Sequence, residues 1–323
     1  MQQYIIRRSL LNIVVLFLVA TMVFAALRID PNQVVNRRAG SCFLQATAEE
    51  CRMVARAELG LDASLPQQYW DFMSGLVQGD LGRSFLENKS VLGEIAERAS
   101  PSIELGLLQI FVGLIIALPI GIISAIRQDQ PVDYILRSVS IFFLGVPSFV
   151  LAVFLIVATG RWGGGTLEFL GTGQGWVEIW EDPIANLKRV SGPALVGGLA
   201  TGAVIMRFLR SQMLEVMRQD YVRTAWAKGL RERVVVIRHA LRNALIPVLT
   251  VVGLLLGTVI SGNVVLESIF GIPGVGLYVT ISALQFDFPV MQGIVLLVAL
   301  LLVFVNLAID VTYGWLDPRI RYS

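Results

Sequence analysis

Residues 220–247 read DYVRTAWAKGLRERVVVIRHALRNALIP, a charged stretch set between two strongly apolar ones. Its pattern predicts two helices and a turn. Asp220 is placed to cap the N-terminus of a short helix, where a carboxylate meets free backbone N–H groups and the positive end of the dipole. Tyr221, Val222, Ala225 and Trp226 fall on one face at helical spacing, with Arg223 and Lys228 off it. Gly229 stands where that helix should end, because glycine takes the left-handed conformation at no steric cost. A second helical run begins at Arg231. There Val234, Ile237, Leu241 and Leu245 recur at three- and four-residue intervals beside a stripe of Arg231, Arg238 and Arg242. The expectation is a helix–turn–helix presented to water beside a membrane, with a small apolar face exposed. Such a face on a charged loop suggests docking of another protein. A basic loop between two spans also serves as a topology signal alone.

Composition sets the class. Of 323 residues 55% are hydrophobic and only 15% charged, against roughly 25% charged in soluble domains, so the chain is read as an all-α integral membrane protein. Apolar runs place six spans near residues 9–27, 105–126, 139–159, 190–206, 244–260 and 290–309, each close to the ~20 residues that cross a bilayer. The first run is long for a signal peptide and no small-x-small cleavage site follows it, so it reads as a retained anchor. Between spans 1 and 2 lies a long polar segment with helical patches near 47–59 and 66–77 and a breaker cluster at 79–82. Gly113, Ala117 and Gly121 make a small-xxx-small face in span 2, and Gly253 and Gly257 a GxxxG in span 5. Pro147 should kink span 3 or mark an irregular turn. Residues 261–289, broken at Gly271, Pro273, Gly274 and Gly276, read as non-spanning.

Charge fixes the expected orientation. Segments 1–8, 127–138, 207–243 and 310–323 carry 2, 2, 9 and 2 Lys+Arg, whereas 160–189 and 261–289 carry 3 and none. By the positive-inside rule both termini and the 207–243 loop are cytoplasmic. The corresponding division is 1–28 for the N-terminus and first span, 29–100 for an extracytoplasmic segment, 101–313 for the core and 314–323 for a cytoplasmic tail.

The chemistry is sparse. There is no GxxxxGK[ST] phosphate loop. The one histidine, His239, lies in the basic loop and has no evident acidic partner, which argues against a catalytic set. Catalytic, cofactor-binding and metal residues are accordingly assigned to none. Glu104, Arg137 and Arg207 lie at span ends, whereas an ion-driven carrier buries ionisable groups along its path. The chain thus reads as a pathway whose energy is supplied elsewhere. Cys42 and Cys51 lie close together in the first polar segment; a disulfide between them and two free buried thiols both fit the spacing.

The 220–247 loop resembles the EAA loop of ABC-importer permeases, in which a short cytosolic helix docks into the ATPase subunit. Only Ala225, Gly229 and Leu241 fit the general pattern, but DYVRTAWAKGL…RHALRNALIPVLTV is very similar to the variant of the dipeptide/oligopeptide/nickel permease family. Further matches run in order along nearly the whole chain. They are ELGLD at 58–62, QQYW at 67–70, GDLGRSF at 79–85, VLESIFGIPGVG at 265–276, DFPVMQG at 287–293 and NLAIDVTYGWLDPRIRY at 306–322. The similarity is closest to the B-type permease subunit, and it lapses at 31–50 and 160–189.

The resemblance implies a type I ABC-importer permease fold with Asp220–Gly229 as the coupling helix. Tyr221, Ala225 and Trp226 would be its packed face and Arg223 an electrostatic contact. Span 5, with Gly253 and Gly257, would line the path. Glu267 and Asp287 would meet the binding protein or cationic ends of substrate, or serve as capping and turn residues around Gly271–Gly276. Implied partners are a second homologous permease, one or two ABC ATPase subunits that bind ATP and Mg, an extracytoplasmic binding protein and the lipid bilayer, with no nucleic acid. The location is a bacterial or archaeal plasma (inner) membrane, and the cargo di- or oligopeptides. The same machinery importing nickel, glutathione, sugar or a peptide antibiotic is the alternative. From other classes come an ion-gradient-driven secondary transporter, disfavoured by the uncharged spans, and a scaffold that binds anionic lipid, for which the loop's turn and apolar face would be superfluous.

Overall fold

A computed structural model describes residues 2–316 except 27, 29–31, 33–34, 37–38, 40–46, 59, 163–169, 171–174 and 261–262, with backbone alone for 2–6, 9, 58, 258, 260 and 308–316. Among the described residues regular structure is helical, with one isolated antiparallel bridge, Arg83 to Ser90. The chain divides into two compact units. One comprises Met1–Ser100 with Tyr278–Ser323, the other Pro101–Leu277. The expected 101–313 core is therefore divided after Leu277.

In the first unit α1 (Gln2–Ala26) packs against α13 (Phe288–Leu316). At 1.5 Å per residue the 25-residue α1 is roughly 37 Å long, enough to span. Its Leu10, Leu11, Ile13, Val14 and Phe17 stay exposed, as a surface facing lipid would. The α1 end is tied to α3 (Leu65–Val77) by aromatic contact: the Phe24 ring lies 5.2 Å from that of Tyr69 and 5.4 Å from that of Phe72. The Arg28 guanidinium stacks 4.0 Å above Phe24. Helix α2 (Ala48–Glu58) starts with a capping box. Glu50 accepts from the Thr47 N–H at 2.9 Å, and the Glu50 N–H reaches back to Thr47 Oγ1 at 3.4 Å. Both helices fall where the sequence places them. Cys51 on α2 is buried with Val35, Ala39 and Ala55; Cys42 lies outside the described residues.

The second unit holds the C-terminal part of α4 (Val91–Ile126), then α5 (Pro131–Gly145), α6 (Ser148–Trp162), α7 (Pro183–Met217) and α8 (Asp220–Ala227). A continuous helical rod follows: α9 (Glu232–Val234), a π-helical turn (Val235–Leu241) and α10 (Arg242–Ile260). Short α11 (Val264–Phe270) and the first residues of α12 (Val275–Gln285), which continues into the first unit from Tyr278, close the series.

Among the described residues, four helices besides α1 are long and apolar enough to cross a membrane: Val91–Ile126, Pro183–Met217, Glu232–Gly257 and Phe288–Leu307. Span 2 is longer than expected, since α4 runs straight through Pro101 instead of beginning near it. Span 4 likewise extends at both ends into a 35-residue helix. Span 3 is not one straight helix. Residue Val146 takes an extended ψ of 123°, as residues before proline do, and α5 and α6 meet at 99° across Pro147. Each limb has 15 residues, roughly 22 Å, too short to cross alone. In the segment 261–289, expected to be non-spanning, α11 and α12 meet at 86°, a bend that a re-entrant loop and a broken span share.

The predicted small face of span 2 is where α4 meets α7. A Cβ on Gly113 would lie 3.0 Å from the Gly202 nitrogen and 3.1 Å from the Gly198 oxygen, and one on Gly121 3.2 Å from the Met206 oxygen. Ala117 is fully buried between them. Side chains gain little by leaving lipid for another helix, so backbone proximity of this kind is what makes two membrane helices associate. Gly113→Leu should therefore separate α4 from α7 at a cost of at least about 1–3 kcal/mol. The check is thermal unfolding of the detergent-solubilised chain, where an unchanged midpoint would refute this packing.

Candidate functional site

Helix α8 has eight residues, too few to persist alone in water. Neighbouring elements hold it. Val222, fully buried, and Ala225 pack on Val235 of the π turn and Val216 of α7. Asn243 of α10 donates to the Tyr221 hydroxyl at 2.8 Å. The face turned outward carries Trp226, 42% exposed, Tyr221, 43% exposed, and the Arg223 and Asp220 side chains.

The detail differs from expectation in three ways. Gln219, not Asp220, is the N-cap residue. Asp220 is the first helical residue and makes no capping bond; its carboxylate lies 3.7 Å from Arg223 at the surface, a pair of little energetic worth. Ala225 faces inward, so it supports the helix and leaves Tyr221, Arg223 and Trp226 as the outer contacts. In the rod that follows, Val234 and Ile237 are exposed, whereas Val235, Val236, Ala240, Ala244 and Val248 are buried. The π turn fits one extra residue per turn and brings both Val235 and Val236 inward. Ala240 at the end of that turn and Ala244 beyond it are small inner positions that let the rod approach Leu209 and Met213 of α7.

The expected turn is present. Gly229 has φ +74°. Its N–H bonds the Trp226 oxygen at 2.9 Å and the Leu230 N–H the Ala225 oxygen at 3.4 Å, the paired bonds of a Schellman C-cap. No atom lies within 4 Å of where a Gly229 side chain would begin, so only backbone conformation demands glycine here.

At the other end of the second unit, Glu267 is fully buried and not available to a partner. It accepts from the Asn263 N–H at 3.0 Å, Ser102 Oγ at 2.8 Å and the Leu277 N–H at 3.0 Å. A side chain on Gly274 or Gly276 would collide with its carboxylate. VLESIFGIPGVG is thus a fold built round one carboxylate, which is the capping role. Asp287, in the first unit, is 1% exposed and accepts from Ser84 Oγ and from the Phe85 N–H at 3.1 Å. It fastens the GDLGRSF loop to the start of α13. Gly257 is buried on α10 and Gly253 half-buried. Asp317, Pro318 and Arg319 lie outside the described residues.

Sequence reasoning missed one group. Asp133 of α5, Arg210 of α7 and Ser124 of α4 converge, with Arg210 Nε 2.9 Å from Asp133 Oδ1 and Nη2 2.8 Å from Oδ2. Arg210 resembles one more loop cation in sequence. Only the length of α7 reveals that it is inside the helix bundle.

Residues 117–322 match the family described as binding-protein-dependent transport system inner membrane component, and residues 1–106 its N-terminal membrane component. The glutathione transport system permease protein GsiC of Pectobacterium atrosepticum is 36% identical over 328 residues, covering all of both chains. GsiC of Escherichia coli K12 is 34% identical over the same span. A chain of Brucella suis biovar 1, provisionally named a peptide permease, is 35% identical over 326 residues, again with full coverage of both.

Two substitutions separate the turn from the buried carboxylate. Gly229→Val forces a β-branched residue to positive φ, costing about 1–3 kcal/mol, whereas asparagine tolerates it. Trypsin should then cut the membrane-inserted chain at Lys228 or Arg231 several-fold faster in Gly229→Val than in wild type or Gly229→Asn. Equal cleavage in all three would dismiss the turn as the constraint. Glu267→Ala orphans three donors at about 1–3 kcal/mol each; the chain's melting temperature should drop, and a variant as stable as wild type would contradict the capping role.

Proposed function

This chain belongs to the binding-protein-dependent transport system inner membrane components, and we propose that it forms half of the translocation path of an ATP-driven importer for peptides, glutathione among them. The observation that carries the reading is α8: one face is clamped to α7, the π turn and α10, while Tyr221, Arg223 and Trp226 face outward on a loop rich in cations. A helix held this way transmits a push to two long helices at once. Separate ATPase subunits would bind ATP and Mg and supply the push. A second, homologous permease would complete the path, and an extracytoplasmic protein would deliver the solute. The names of the relatives support glutathione or another short peptide as cargo. Net positive charge on the 207–243 loop supports its cytosolic placement and that of both termini in a plasma (inner) membrane.

Exposed Trp226, Leu230, Val234 and Ile237 supply apolar contact area for the ATPase, and Arg223 a charge to orient it. Tagging the chain, solubilising native membranes gently and identifying co-purifying proteins should recover a homologous permease and one or two ATPases. In membrane vesicles supplied with the binding protein, uptake of glutathione or a dipeptide should require ATP and survive an ionophore. Uptake that collapses with the ion gradient and ignores ATP would overturn the reading in favour of a secondary transporter.

A further inference from the structure

Three elements distant in sequence meet at one buried carboxylate. Asp133, whose side chain is 0% exposed, takes both prongs of the Arg210 guanidinium, itself 14% exposed. Ser124 Oγ donates to the same Oδ1, and the Asp129 N–H donates to Oδ2 at 3.0 Å. Arg210 Nε also lies 3.1 Å from Ser124 Oγ. The carboxylate is fully engaged, with donors from the end of α4, from the turn before α5 and from α7.

Burying such a pair costs about as much in lost hydration as the attraction returns, and apolar residues of similar size would stabilise the bundle equally well. What the pair adds is geometry. A forked guanidinium–carboxylate contact fixes angle as well as distance, which sliding apolar surfaces do not. Its placement gives that rigidity a use. Arg210 stands ten residues before Asp220, on the helix that leads through only Arg218 and Gln219 into α8. Asp133 is at the start of α5, the first limb of the pair that bends 99° at Pro147. An open cleft of about 490 Å³, lined by Arg210, Ser211, Leu214, Glu215, Arg218 and Gln219, runs beside the last turns of α7. Arg210, in the wall of that cleft, ties them to the start of α5.

We propose that Asp133 and Arg210 are a positioning pair for transport, making α5, the end of α7 and α8 move as one body so that a force on α8 reaches the broken α5–α6 pair. The inference rests on α8 being the ATPase-coupling helix. Neither residue touches cargo or nucleotide.

The test uses the complete importer reconstituted in liposomes with its permease partner, ATPases and binding protein. It compares wild type, Asp133→Asn, and the apolar double variant Asp133→Leu with Arg210→Leu, which keeps a foldable chain should the single variant fail. Glutathione or dialanine uptake per ATP hydrolysed should fall at least about tenfold in both variants, within the usual span of coupling effects, while hydrolysis and subunit assembly persist. An unchanged ratio, or uptake and hydrolysis falling together, would overturn the proposal. A second arm needs no cargo. Spin labels at Ile141→Cys and Lys228→Cys should show one narrow distance, equal without nucleotide and with ATP–vanadate, that broadens in the variants. Distributions as narrow in the variants would also overturn it. If wild type takes up no peptide yet the variants broaden, the cargo assignment fails and the positioning pair stands.

Discussion

The second unit depends on the approach of α4 and α7 through glycine. In water, burying large apolar side chains would drive two helices together; in lipid those side chains are already in an apolar solvent. What remains is dispersion between closely packed backbones and the few polar contacts that proximity permits. Gly113, Gly198 and Gly202 provide the proximity, and the contact orients everything attached to α7: Arg210 can reach Asp133, and Leu209 and Met213 form the wall on which Ala240 of the π turn and Ala244 of α10 rest. Large residues such as Phe111 and Ile115 stay outside.

The same physics explains what was legible in the sequence. Spans 1, 2, 4, 5 and 6 were marked by apolar length, the α8 turn by Gly229, and the bend within 261–289 by its breakers. The small-xxx-small stripe identified the α4 interface by spacing alone. Missed features had no local signal. A π turn is not announced by composition, so Val234 and Ile237 looked like the inner stripe of a regular helix. Pro147 signalled a break, but its 99° depends on how the two limbs pack. Arg210 reads as a loop cation in the sequence because the apolar run ends near Met206 while the helix continues.

Motif residues divide into two kinds. Glu267 and Asp287 stand in the most distinctive strings of the chain and are sealed inside, each satisfying several donors that would otherwise be orphaned. A carboxylate in a breaker-rich segment attracts a functional reading because charge is rare in a membrane chain. Charge is also the strongest acceptor with which to close an irregular backbone that no regular helix can satisfy. Burial decides between the two, and burial cannot be read from a string. The α8 residues divide likewise: Val222 and Ala225 are inward, Tyr221 and Trp226 outward, though all four lie at helical spacing.

On the proposed reading, force enters at α8 and needs a stiff path into the long helices. Helix α8 is too short to be stiff by itself, and its stiffness is borrowed from Val235, Val216 and Asn243. The levers on that reading are the long helices α7 and α10, and the α5–α6 pair, bent 99° at Pro147, is the corner that the force reaches. The buried fork between Asp133 and Arg210 fixes α7 to the start of α5 in angle as well as distance, which apolar packing alone would not. Apolar contacts hold these helices together, and the polar contacts fix the angles at which they meet.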